Sequence, residues 1–126
     1  MTRERLPVGR TGHTKRIHLR YPHEGAVSDL KIYITTGEYP DGRLGEIFLK
    51  ADKSGSTISG LLDALSITAS LALQSGVSVE ALAEKWSRMQ FEPSGTTSDP
   101  RMPRVSSIVD AIAQWLTLRY CKGEAK

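Results

Sequence analysis

Apolar and polar residues alternate through the first half of the chain, and the period changes near residue 55. In KRIHLRY, Ile17, Leu19 and Tyr21 fall on one side and Arg16, His18 and Arg20 on the other, which predicts a half-buried strand. SDLKIYITTGEY repeats the pattern: Leu30, Ile32 and Ile34 alternate with Lys31, Tyr33 and Thr35, with β-branched residues enriched. GEIFLKA then sets Ile47 and Leu49 against Phe48. PHEG (Pro22 to Gly25) and PDG (Pro40 to Gly42) carry turn chemistry between these runs. Three antiparallel strands in a meander have one apolar face, and that face needs a cover.

The second half supplies it. TISGLLDALSITASLALQSG is apolar on most sides, through Ile58, Leu61, Leu62, Leu65, Ala69, Ala72 and Leu73. Such a helix is buried centrally or packed on another subunit. Ser56 or Thr57 is its expected cap and Gly76 its expected end. Ser78 caps a second helix, VEALAEKWSRM, whose inner stripe is Val79, Leu82, Ala83 and Trp86. Val105, Ile108, Val109, Ile112 and Leu116 mark a third, with Trp115 and Arg119 beside the stripe. The fold class is therefore α+β: a small antiparallel meander sheet of about three strands followed by about three helices packed on it. A single domain is expected over residues 1–126, with 1–12 an extended basic arm and 120–126 a loose tail.

Charge changes the picture only locally. The net charge is +3, but Arg3, Arg5, Arg10, Lys15, Arg16 and Arg20 crowd the first twenty residues against Glu4. Charge runs are usually solvated, and the sharper reading is attraction to phosphate. No aromatic interleaves among the arginines, so nucleic acid is not the expected partner. The lone Cys121 rules out an internal disulfide framework or a CxxC pair, and a surface thiol in a reducing, cytoplasmic setting is expected. No run approaches 18 uninterrupted apolar residues and the N-terminus lacks an apolar signal core, so no membrane association is expected.

Catalytic chemistry is sparse. His13, His18 and His23 stand five apart, which alternates the face of a strand, and no cysteine or carboxylate cluster completes a metal site. Asp63 and Asp110 are lone carboxylates on apolar helices, read as edge residues or helix-to-loop hydrogen bonds before general bases. No cofactor is expected. Two stretches suit binding instead. Lys53, Ser54, Gly55, Ser56 and Thr57 open the long helix with a lysine, hydroxyls and a permissive glycine, as a plain cap or as an anion site. In QFEPSGTTSDPRMPR, Phe91 can stack on a base, and Ser94, Thr96 and Thr97 offer hydroxyls. Gly95 lets a ligand approach the backbone, and Arg88, Arg101 and Arg104 flank the loop with charge suited to phosphate. Alternatively Phe91 and Pro93 simply pin the loop to the core.

The segments RERLP, DGRLGEIF, KSGSTISGL, SLALQSGV, FEPSGTT and SSIVDAIAQWL resemble the C-terminal region of adenosylcobalamin-dependent (class II) ribonucleotide reductases, from Arg3 to Leu116. In those enzymes the region follows the catalytic barrel and precedes a cysteine-rich tail, so the resemblance implies an accessory domain. The barrel, its radical cysteine, the reducing cysteine pair and the cobalamin domain have no counterpart in this sequence, and Asp99 stands where the family's loop more often has asparagine. The implied protein is no enzyme. In size and site character it is also similar to small oligomeric phage proteins that sequester signalling nucleotides of host defence. The expected function is thus a homo-oligomeric, non-catalytic protein holding a phosphorylated nucleoside, such as a cyclic nucleotide or ADP-ribose derivative. The alternative is an accessory subunit that docks on a separate reductase core.

Overall fold

A computed structural model describes residues 2–52 and 55–121. The order of elements is β1 (Thr14–His23), β2 (Ala26–Glu38), β3 (Leu44–Ala51), α1 (Ser56–Gln74), α2 (Val79–Trp86), β4 (Gly95–Thr97), β5 (Arg104–Val105) and α3 (Ile108–Tyr120). The architecture is α+β, as the periodicity predicts. Among the described residues the sheet has five strands rather than three, in the order β3-β2-β1-β4-β5. The two extra strands come from the loop between the second and third helices: β4 pairs with β1 through Leu19↔Thr97 and Arg20↔Thr96, and β5 with β4. GTT and RV are too short to show alternation, so only their partners reveal them.

The β1–β2 hairpin turns two residues later than its composition suggests. Pro22 and His23 remain in β1, and Glu24 and Gly25 form the turn with φ of 51° and 77°. Two positive φ values match the right-handed twist of the flanking strands, and the glycine adopts its own at no steric cost. The inner face carries Ile17, Leu19, Leu30, Ile32, Ile34, Ile47 and Leu49. It forms one apolar cluster with Leu62, Ala69 and Leu73 of α1, Trp86 of α2, and Ile108, Ile112, Trp115 and Leu116 of α3. Val105, assigned by periodicity to the third helix, belongs to β5, and Trp115 lies within the core.

Ends and caps follow local chemistry, with corrections. Ser78 accepts from the Ala81 amide and Ser107 from that of Asp110. The N-cap of α1 is Gly55, with no side-chain cap hydrogen bond. Gly76, at φ 106°, follows its C-terminus. Cys121 is buried, not a surface thiol. The described residues before β1 form neither helix nor strand, yet they are tied down. Glu4 N donates to Gln74 O (2.7 Å), Glu38 N to Thr11 O (2.8 Å), and Arg10 pairs with Glu46. Of the expected C-terminal tail, residues 122–126 lie outside the described residues.

α1 sits along the sheet's edge, and its apolar composition conceals why. Ser66, Ser70 and Gln74 recur every four residues and form one stripe. Ser66 Oγ accepts from Leu49 N (2.9 Å), Ser70 Oγ accepts from Ile47 N (3.0 Å), and Gln74 Nε2 donates to Gly45 O (2.9 Å). The outward backbone groups of edge strand β3 are thereby satisfied by side chains instead of a further strand.

Candidate functional site

The stretch expected to be a binding loop is built into the fold at most of its positions. Asp110, 3% exposed, organises its two ends. Its carboxylate accepts from Arg88 N (2.7 Å), Ser106 N (2.9 Å) and Gln114 Nε2 (2.9 Å), which is a helix-to-loop hydrogen-bond hub. Gly95 does permit a close approach, and the approaching backbone is β1's: a Cβ there would lie 1.9 Å from Arg20 O. Thr97 Oγ1 donates to Met102 O (2.7 Å) and accepts from Asp99 N (3.1 Å). Asp99 takes a fork from Arg101, at 3.2 Å from Nε and 3.0 Å from Nη2, and pairs with Lys15 at 3.0 Å. These partners, Arg101 first, hold the Asp99 carboxyl well below the usual carboxylate range.

The candidate residues therefore disperse. Thr97 and Arg101 line a cleft of about 340 Å³ with Lys15, Arg16 and His18. Ser94 lines another of about 300 Å³ with Tyr21, Leu30 and Ile58, which brings the loop next to the start of α1. Thr96 and Arg104, paired across β4 and β5, are exposed. Phe91 is half exposed and its amide donates to Ser106 O (3.1 Å), while the Arg88 amide is bound by Asp110. Of the second stretch, Gly55 and Thr57 are exposed at the helix start, and Ser56 is the first residue of α1. Lys53 and Ser54 lie outside the described residues.

The histidines separate as their spacing predicts: His13 lies 3.2 Å from Glu38, His18 3.3 Å from Asp29, and His23 3.7 Å from Glu24. Among the described residues no group of three or more potential ligands gathers for a metal ion.

A larger concavity than these two clefts was not read from the sequence. It is a groove of about 540 Å³ between α1 and the outer side of β3, lined by Arg3, Phe48, Lys50, Asp63, Ile67 and Leu71 with Ser66 and Ser70 at its base. Asp63, Ile67 and Leu71 are four apart and form the helix row beside the serine stripe. Phe48 is 49% exposed, Ile67 63% and Leu71 42%, so three large apolar side chains stand in solvent. Thr57–Gln74 is also long and apolar enough to cross a bilayer, at a mean hydropathy of 1.2 with 28% of the stretch buried. Its polar stripe, however, is engaged with β3. A signal was present in part: Phe48 alternates outward from β3, and α1 has more large apolar residues than one core-facing stripe holds.

Comparison with known proteins agrees with the segments that resemble class II reductases. The chain is 42% identical over 124 residues to the vitamin B12-dependent ribonucleotide reductase of Streptantibioticus cattleyicolor, covering 98% of this chain and 19% of that one. It is equally similar to the enzyme of the same name from Streptomyces avermitilis, of which it covers 12%. The one from Rhodopirellula baltica is 40% identical over 121 residues, covering 96% of this chain and 11% of that one. The chain thus spans less than a fifth of the length of these relatives. No solved structure matches it. The TSCPD domain model matches residues 4–120, nearly everything from the N-terminal arm to the end of α3, and the chain belongs to the TSCPD domain family.

Proposed function

We propose that this chain is a non-catalytic accessory module that docks on the body of a vitamin B12-dependent ribonucleotide reductase. The observation that carries the reading is the apolar groove of α1 and β3, in a domain whose relatives hold it within a far longer chain. Phe48, Ile67 and Leu71 contribute nothing to this domain's own core. Exposed apolar residues gathered in one groove mark a contact surface. In the relatives, the remaining four fifths or more of the polypeptide is the surface available to cover it.

Sequestration of a signalling nucleotide lacks comparable support. The relatives are reductases by name. The loop's Thr97, Asp99 and Arg101 bond one another, and Gly95 receives β1 where a ligand was expected.

The test uses the Streptomyces avermitilis reductase with its matching segment deleted, mixed with the full 126-residue chain and followed by size exclusion with light scattering. A complex is expected, and Ile67→Asp or Leu71→Asp should abolish it while leaving the fold intact, because both side chains are exposed. Separate elution, or aspartate variants that bind like the parent, overturns the proposal. A concentration-dependent dimer with no reductase body present would assign the groove to a second copy instead. Calorimetric titration with nucleoside phosphates and ADP-ribose derivatives should give no heat; tight binding there would restore the nucleotide reading.

A further inference from the structure

The sheet's outer face is left open by the fold, and the docking groove uses only its rim. Side chains that alternate outward bring together residues distant in sequence. Arg104 of β5 neighbours Thr96 of β4, which neighbours Arg20 of β1 and then Asp29 of β2. Four residues along β1, Arg16 neighbours Tyr33 of β2, which neighbours Lys50 of β3. Lys31 lies between these rows, opposite His18.

Five cations therefore share this face with Asp29, while Glu46, on the same side, is already paired with Arg10. Of the five, Lys50 lies 3.8 Å from Asp63 of α1. Arg16, Arg20, Lys31 and Arg104 make no ion pair among the described residues. Tyr33 is half-buried in the middle of a row, with a cation on the strand to either side.

We propose that the open sheet face binds single-stranded nucleic acid, with a base stacked on Tyr33 and phosphates held by Arg16, Arg20, Lys31 and Arg104. In sequence the N-terminal arginines lack interleaved aromatics; the strand pairing interleaves them in space. A track across five strands spans on the order of 20 Å, long enough for several nucleotides and too long for one. A base bares its π-face to a tyrosine only when unpaired, and among the described residues no helix or ribbon projects from this face into a duplex groove. A bilayer would want apolar residues at the centre of the face, where arginine, lysine, histidine and threonine stand.

The test is fluorescence anisotropy of a labelled single-stranded oligonucleotide about 12 nucleotides long with the full chain, across a salt series. With about four phosphates neutralised, log K should fall against log salt with a slope near about −3. Arg16→Ala with Arg20→Ala should reduce that slope by about 1.4. Tyr33→Ser should weaken binding about tenfold and leave the slope unchanged, the value of one stacked base. Tyr33→Leu, which keeps a strand-compatible side chain, serves the same purpose if the serine variant does not fold. Absence of binding at low salt, or a slope insensitive to the arginine pair, overturns the proposal. So does equal affinity for the matching duplex or for anionic phosphatidylserine vesicles with no effect of Tyr33→Ser. The docking variants Ile67→Asp and Leu71→Asp should bind the oligonucleotide like the parent, so the two surfaces fail or succeed separately.

Discussion

Replacing Ser66 by alanine tests how the edge of the sheet is closed. The Ser66 hydroxyl accepts from Leu49 N at 2.9 Å and donates to Leu62 O at 2.8 Å, with Ser66 6% and Leu49 1% exposed. Alanine removes the acceptor and lets neither water nor another strand replace it. An unsatisfied buried N–H costs about 1–3 kcal/mol. Alanine's better helix propensity returns about 0.5 kcal/mol. The net loss should be about 1.5 kcal/mol, read as a urea midpoint lower by about 1 M at an m-value near about 1.5 kcal/mol per molar. Hydrogen exchange gives a local readout: the Leu49 amide should lose protection relative to amides of the β1–β2 ladder. Thr68→Ala, on an exposed position of the same helix, should leave the midpoint unchanged or raise it slightly. If Ser66→Ala matches the parent within about 0.3 kcal/mol and Leu49 stays protected, the edge is not held by the serine stripe and the reasoning fails.

Asp110→Ala should cost about 2–4 kcal/mol in urea unfolding, because three donors converging on a 3% exposed carboxylate lose their acceptor. Gly95→Ala should detach β4 from β1, since its Cβ would meet Arg20 O at 1.9 Å; a loss of about 2 kcal/mol or more by thermal or urea unfolding is expected. Asp99 makes stability depend on acid. Its folded pKa lies below its unfolded one, so its contribution is complete above pH about 4 and erodes as pH falls toward the folded value. Asp99→Asn should flatten the urea-midpoint profile below pH about 4 and leave the slope above it unchanged.

Much of the fold was legible because its signal is periodic. The alternation of Ile17, Leu19, Leu30, Ile32, Ile34, Ile47 and Leu49 forms the inner face as predicted, and Ser78 caps α2 as its position suggests. β4 and β5 were illegible, because three and two residues cannot display a period; their identity lies in the partners Leu19 and Arg20. The candidate binding residues were chosen for what their side chains can do, and several do it internally: Thr97 bonds Met102, and Arg101 bonds Asp99. A hydroxyl or guanidinium in a sequence does not reveal whether a neighbour has already taken it.

By itself the sequence determined the α+β class, the order of its main elements and the resemblance to class II reductases, because each depends on residue identity at fixed spacing. Tertiary structure alone decided the faces. It placed the serine stripe of α1 against the open edge of β3, and left Phe48, Ile67 and Leu71 lining a groove. It also gathered Arg16, Arg20, Lys31, Tyr33, Lys50 and Arg104 from four strands onto one surface. The physical reason is that a surface is set by register between segments, and register is fixed by long-range pairing and burial that no local pattern encodes.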